Sequence, residues 1–118
     1  MNILIIGCGK LGSKLANILF HQGHDVSILD INENAFNRLD NEFDGLTVVG
    51  MPMDMSVLRN AGVEGCDAAA VVTSDDNLNI TVSQILKEFF NIGTVVARIT
   101  DPSREQVFCD FGLSTVCQ

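Results

Sequence analysis

Asn2-Ile3-Leu4-Ile5-Ile6 runs directly into Gly7-Cys8-Gly9-Lys10-Leu11-Gly12, and this junction decides the fold. A short apolar run followed by G-x-G-x-x-G and then by a helical pattern reads as strand, phosphate-binding turn and helix. Each glycine has a separate task. Gly7 permits a tight turn off the strand, Gly9 lets backbone approach a pyrophosphate, and Gly12 lets the helix lie close to the sheet. The free N–H groups at the helix start then face the phosphate charge. The next apolar run, Val26–Leu29, ends in Asp30, whose carboxylate can accept hydrogen bonds from the hydroxyls of an adenosine ribose.

Outward from that unit, strand-like and helical stretches alternate along the chain. Strands are expected at Ile3–Ile6, Val26–Leu29, Leu46–Val49, Ala68–Val72, Thr94–Ile99 and Leu113–Cys117. Leu11, Leu15, Ile18 and Leu19 form one helical stripe, and short helices are expected near Ala35–Leu39 and Ser56–Ala61. Ile80, Val82, Ile85, Leu86, Phe89 and Phe90 form the most apolar helix, with more apolar surface than one sheet face covers, and so a candidate for assembly. A fifth helix is expected over Glu105–Phe111, with Pro102 before it and Gly112 after it. One helix between successive strands means parallel pairing with right-handed crossovers. The fold class is therefore α/β, a doubly wound Rossmann-like parallel sheet of about six strands in the order 3-2-1-4-5-6. The 118 residues are expected to form a single domain, 1–118, without linker or repeat.

Composition excludes several function classes. Fifteen acidic against seven basic residues give a net charge of −8, which argues against nucleic acid or anionic lipid as a partner. No apolar run approaches the roughly 20 residues of a membrane span, and the chain starts in a strand rather than a basic leader, so neither direct membrane insertion nor a signal peptide is expected. The four cysteines lack C-x-x-C spacing and read as free thiols of a cytoplasmic protein. Cys8, inside the glycine loop, is either a small residue that fits the turn or a redox-active thiol.

In a sheet of this order the turns after strands one and four flank the ligand. The second of these is Thr73-Ser74-Asp75-Asp76-Asn77, in which Ser74 and Asn77 can bond a second ribose or phosphates. Asp75 or Asp76 can equally cap the next helix, or the pair can hold a metal if further oxygen ligands join it. Lys10 is either a contact for a terminal phosphate or a solvated lysine. Arg98, late in strand five, can pair with a phosphate or with Asp101. Met51, Met53 and Met55 are spaced so that thioethers could take Cu(I), although filling packing gaps is the commoner use of methionine. Met53 and Asp54, in the turn after strand three, would border an adenine ring. His21 and His24 are expected to be exposed and chemically idle. No nucleophile–base pair emerges, so no catalytic set is assigned. The readings left open are a non-enzymatic regulatory subunit, the cofactor-binding fragment of an NAD-dependent oxidoreductase, and a nucleotide or redox sensor with no membrane partner.

The residues together resemble the N-terminal nucleotide-binding domain of the TrkA/Ktr family, the RCK domains of bacterial potassium uptake systems. The resemblance runs through Ile5–Gly12, Gly23-His24-Asp25-Val26 and Asp30-Ile31-Asn32-Glu33. It continues through Val48-Val49-Gly50 with Asp54, Val57–Gly62, Thr73 with Asp76-Asn77, Ala97-Arg98-Ile99 and Phe111-Gly112-Leu113. It implies that Gly7, Cys8, Gly9, Lys10, Leu11 and Gly12 hold the phosphates of NAD(H), ATP, ADP or AMP, and that Asp30 and Ile31 hold the ribose side. It further implies a homodimer built into an octameric ring, acting on a membrane-embedded potassium transporter or channel at the inner face of the membrane. The chain departs from the relatives at Met51-Pro52-Met53, where many have Asp-Ala after the glycine. It also ends at Gln118, where many continue into a second lobe, as expected of an excised or a naturally short domain.

Overall fold

The computed structural model describes residues 1–101 and the backbone of 114–117. The helix expected over Glu105–Phe111 lies outside the described residues. Six strands pair in the order β3-β2-β1-β4-β5-β6: β1 (Asn2–Ile6), β2 (Asp25–Asp30), β3 (Leu46–Val49), β4 (Ala68–Val71), β5 (Thr94–Ile99) and β6 (Ser114–Cys117). Every pair is parallel, and β1 lies between β2 and β4 with Leu4 level with both Ser27 and Ala69. The expected order and class are those observed.

The reason lies in β1, which is buried on both faces from Ile3 onward. Leu4 and Ile6 point into one core with Leu29, Leu58, Val71, Val82 and Leu86. Ile3 and Ile5 point into another with Val26, Ile28, Ala16 and Ala35. A sheet with two dry faces needs a helical layer on each, which is what right-handed crossovers deliver. Helix α1 (Lys10–His21) covers the second core, while α2 (Met55–Asn60) and α3 (Asp76–Gln84) cover the first. Because α1 leaves β1 for one face and α3 leaves β4 for the other, a crevice opens between the carboxyl ends of these neighbouring strands.

Three local expectations are corrected. In α1 the fully buried positions are Gly12, Ser13 and Ala16, while Ile18 is exposed. The helix sits so close to the sheet that small residues make the contact, and the Leu11, Leu15 and Leu19 side chains flank it. The stretch after β2 is a 3-10 turn, Glu33–Arg38, capped by Asn32 accepting from the Asn34 N–H at 3.0 Å. Helix α3 starts at Asp76, earlier than its apolar pattern suggests, and continues as a wider π-helical segment over Ile85–Phe89. Most of its apolar excess is absorbed by the core; Val82 and Leu86 are buried, Ile80, Ile85 and Phe90 pack against them, and Phe89 stays exposed. His21 is exposed, as expected, with its Nε2 3.0 Å from the Asp40 carboxylate.

Candidate functional site

The glycine loop is shaped by its own backbone. Gly7 has φ +105°, in the region that favours glycine, and donates its N–H to the Leu29 carbonyl at 2.7 Å. A methyl group on Gly12 would come within 1.8 Å of the Gly7 carbonyl oxygen, so the first turn of α1 rests directly on the loop. Gly9 differs from both. A methyl group there would meet nothing within 4 Å, and its backbone is extended. Gly9 is also the residue from which α1 starts, with no side chain capping the helix and no acidic residue in its first turn. The unpaired N–H groups and the positive end of the helix dipole therefore face the crevice, where they favour an anion.

That crevice encloses a cavity of about 770 Å³ lined by all four carboxyl-end turns around the switch point. From β1 come Gly7, Gly9, Lys10, Leu11 and Lys14; from β2, Leu29, Asp30 and Ile31; after β3, Met51 and Pro52. The other wall comes from Val72, Thr73, Ser74, Asp75 and Leu78, with Arg98 of β5. Asp30 fixes the loop: one carboxylate oxygen accepts the Cys8 N–H at 2.7 Å and the other the Asn32 N–H at 2.8 Å. Opposite it, Arg98 donates through Nη1 to the Thr73 carbonyl at 3.2 Å. Its Nε is buried and has no hydrogen-bond partner among the described residues. The uncapped helix start and the Arg98 guanidinium thus border one cavity, and both suit a phosphate oxygen.

The same sequence pattern is met elsewhere. The TrkA-N domain pattern matches residues 3–118. The chain belongs to the TrkA-N domain family. It is 43% identical over 116 residues to the Trk system potassium uptake protein TrkA of Streptomyces coelicolor, which covers 98% of this chain and 52% of the relative. The TrkA-N domain thus spans about half the length of that relative. Two solved structures share the fold. The AMP-bound Kef C-terminal domain of Shewanella denitrificans superposes with a TM-score of 0.85 at 18% identity, over 100% of this chain and 72% of its own. The GsuK channel bound to NAD does so with 0.83 at 24% identity, over 98% of this chain and 20% of its own.

Of the residues the sequence nominated in this TrkA-N domain, Gly7, Gly9, Lys10, Leu11, Asp30, Ile31, Thr73, Ser74, Asp75 and Arg98 line the cavity. Five do not. Cys8 turns its thiol away, toward the Ala35 carbonyl at 3.4 Å; burial first, and the Asp30 charge second, push its pKa up to about 11, which suits a packed small side chain rather than a reactive thiolate. Gly12 acts through its fit against Gly7 and not as lining. Met53 points to solvent, and Asp54 caps α2 by accepting the Ser56 N–H at 2.9 Å. Asn77 borders an adjoining hollow shared with Asp76, Thr100 and Asp101.

The polar turn resolves into separate roles. Asp75 caps α3, accepting from the Asn77 and Leu78 N–H groups. Asp76 is buried and accepts from the Thr100 N–H and hydroxyl and from the Asp101 N–H, which ties α3 to the end of β5. Arg98 is in no ion pair among the described residues, so the pairing with Asp101 is not the one observed. Sequence reasoning missed Asn79, which is fully buried and bonds Thr73 and the Arg98 carbonyl together. It also missed Lys14, Met51 and Pro52 in the lining. The spacing of Lys14, one turn beyond Lys10, was the available signal.

Proposed function

We propose that this domain binds an adenine nucleotide, NAD(H) or one of ATP, ADP and AMP, in the cavity between the glycine loop and Asp30. Bound ligand would regulate a potassium transporter or channel. The carrying observation is the uncapped start of α1 opening on a cavity that Lys10, Lys14 and Arg98 also line, an anion site with the Asp30 carboxylate on the same cavity wall. Gly7, Gly9, Lys10, Leu11, Thr73, Ser74 and Arg98 serve the phosphates and the distal half, and Asp30 with Ile31 the ribose side. The likeness to the Trk system potassium uptake protein TrkA of Streptomyces coelicolor supports a regulatory role over the oxidoreductase reading.

In this reading the domain works in the cytoplasm, as a homodimer or a ring of such pairs, held at the membrane through its transporter. No helix among the described residues is long and apolar enough to cross a membrane. Regulation requires that ligand bind two assembly geometries with different affinity. Titration calorimetry of the purified protein with NADH, NAD, ATP, ADP and AMP, with product analysis after incubation, tests the proposal. Selective binding without turnover is expected. Absence of binding to every nucleotide would overturn the assignment, and turnover would favour the enzyme.

A further inference from the structure

The strand order lays the cavity lining out in a row. Met51 and Pro52 follow β3 at one end, the glycine loop stands in the middle, and Arg98 of β5 stands at the other. Charge is distributed unevenly along that row. Lys10, Lys14 and Arg98 all lie on the loop and far side, in a chain that has seven Lys and Arg residues in total. On the near side, past the Asp30 carboxylate, the wall is Leu29, Ile31, Met51 and Pro52.

A nucleobase docked on that near wall finds little to read it. Bases differ in the donors and acceptors along their edges, so a site tells them apart by placing matching polar groups there. The four wall side chains offer nothing stronger than a thioether, a weak acceptor. Part of the backbone along the wall is committed as well. The Gly50 N–H donates to the Asp30 carbonyl at 3.1 Å, the Met51 carbonyl accepts the Asp54 N–H at 3.1 Å, and Pro52 has no N–H to give. Ile31 and Met51 are also largely open to solvent, so a base would lie on an apolar platform with its edge in water. Apolar contact stabilises a flat ring but rejects an isosteric one weakly.

We infer that the site is tolerant of the base: it reads ribose and phosphate, and takes guanine and hypoxanthine nucleotides as well as adenine ones. The inference rests on the nucleotide-site reading above and narrows the part of the ligand that carries the signal. Selectivity then resides in phosphate number, sensed at Lys10, Lys14 and Arg98, and in the ribose hydroxyls at Asp30.

The test is a set of calorimetric titrations with ATP, GTP and ITP, repeated with ADP and GDP. Dissociation constants within about tenfold across bases are expected, the range that an apolar surface leaves undiscriminated. A wider preference for adenine would overturn base tolerance while leaving the nucleotide site intact. Failure of every nucleotide to bind would overturn both. A Met51→Glu variant sharpens the result, since a carboxylate can accept from both the N1–H and the N2 amino group of guanine but from the single N6 amino group of adenine. The ATP-to-GTP affinity ratio should fall about tenfold in that variant. An unchanged ratio would remove Met51 from the base wall. The side chain is half-exposed, so the protein should remain folded.

Discussion

The loop after β1 and the turn after β3 border the same cavity, yet they are made in different ways. The first is a backbone device: Gly7 at positive φ, Gly12 against the Gly7 carbonyl, and Gly9 open to the crevice. The second is a side-chain surface, with Met51 and Pro52 presented by a short edge strand and Asp54 used to start α2. A site built from backbone tolerates few sequences and binds what is common to all nucleotides, their phosphates. A surface built from side chains can drift, and its chemistry sets which bases are told apart. The difference suggests that the phosphate side defines the class of ligand and the β3 side its breadth.

The strongest way to break the comparison is Gly12→Ala. The new methyl would press on the Gly7 carbonyl from 1.8 Å, backbone against backbone, so it cannot be relieved by a rotamer change. A loss of about 3 kcal/mol in urea unfolding is expected, at the upper end for overpacking, along with loss of nucleotide binding. A stable Gly12→Ala protein would show that the loop is more pliable than its geometry implies.

Asp30→Ala should come next, because it removes both the acceptor for ribose and the clamp on the Cys8 and Asn32 N–H groups. Nucleotide affinity should fall by about 1–3 kcal/mol, the usual range for a hydrogen bond to a charged group, as read by calorimetry. In the native protein the same carboxylate should make NADPH bind more weakly than NADH, since it repels a 2′-phosphate. Equal affinities would place the ribose elsewhere.

Arg98→Gln probes the far side. A loss of about 1.5 kcal/mol is expected for ligands that reach β5, such as ATP or NADH, with AMP less affected. Equal losses for all three would place Arg98 in a structural role, holding Thr73 alone.

The smallest effect concerns Cys8. Its pKa is raised from 9.0 to about 11 in the folded state, so the folded protein holds this proton more tightly than the unfolded chain. The resulting stabilisation is complete below pH 9 and is lost as the pH rises through about 11. Unfolding midpoints of native protein and Cys8→Ala across that window should converge as the pH rises. The native thiol should also resist alkylation at neutral pH.

How far the sequence could be read follows from the same contrast. The β1 unit was legible because glycines at fixed spacing, an apolar run and a closing acid are local requirements of the backbone. The parallel order was legible because one helix separates each pair of apolar runs. On the β3 side the sequence pointed to Met53 and Asp54, whereas Met51 and Pro52 line the cavity. The cause is that Asp54 looks equally like a ligand contact and a helix cap, and only the tertiary turn shows it capping α2. Asn79 escaped for a related reason. A polar residue in a polar stretch reads as surface, whereas here it is buried and satisfied from Thr73 in the turn after β4 and from Arg98 of β5, which sequence spacing alone does not bring together.

Gly9→Ala tests the central claim most directly, that the open space at the loop is a phosphate site. Its methyl would meet no protein atom within 4 Å, and its extended backbone suits alanine, so unfolding should match the native protein. Calorimetry with ADP and NADH on that variant should show binding abolished or weakened at least tenfold, about 1.4 kcal/mol. Native affinity in a normally folded Gly9→Ala protein would contradict the account, because no phosphate could then lie against the loop.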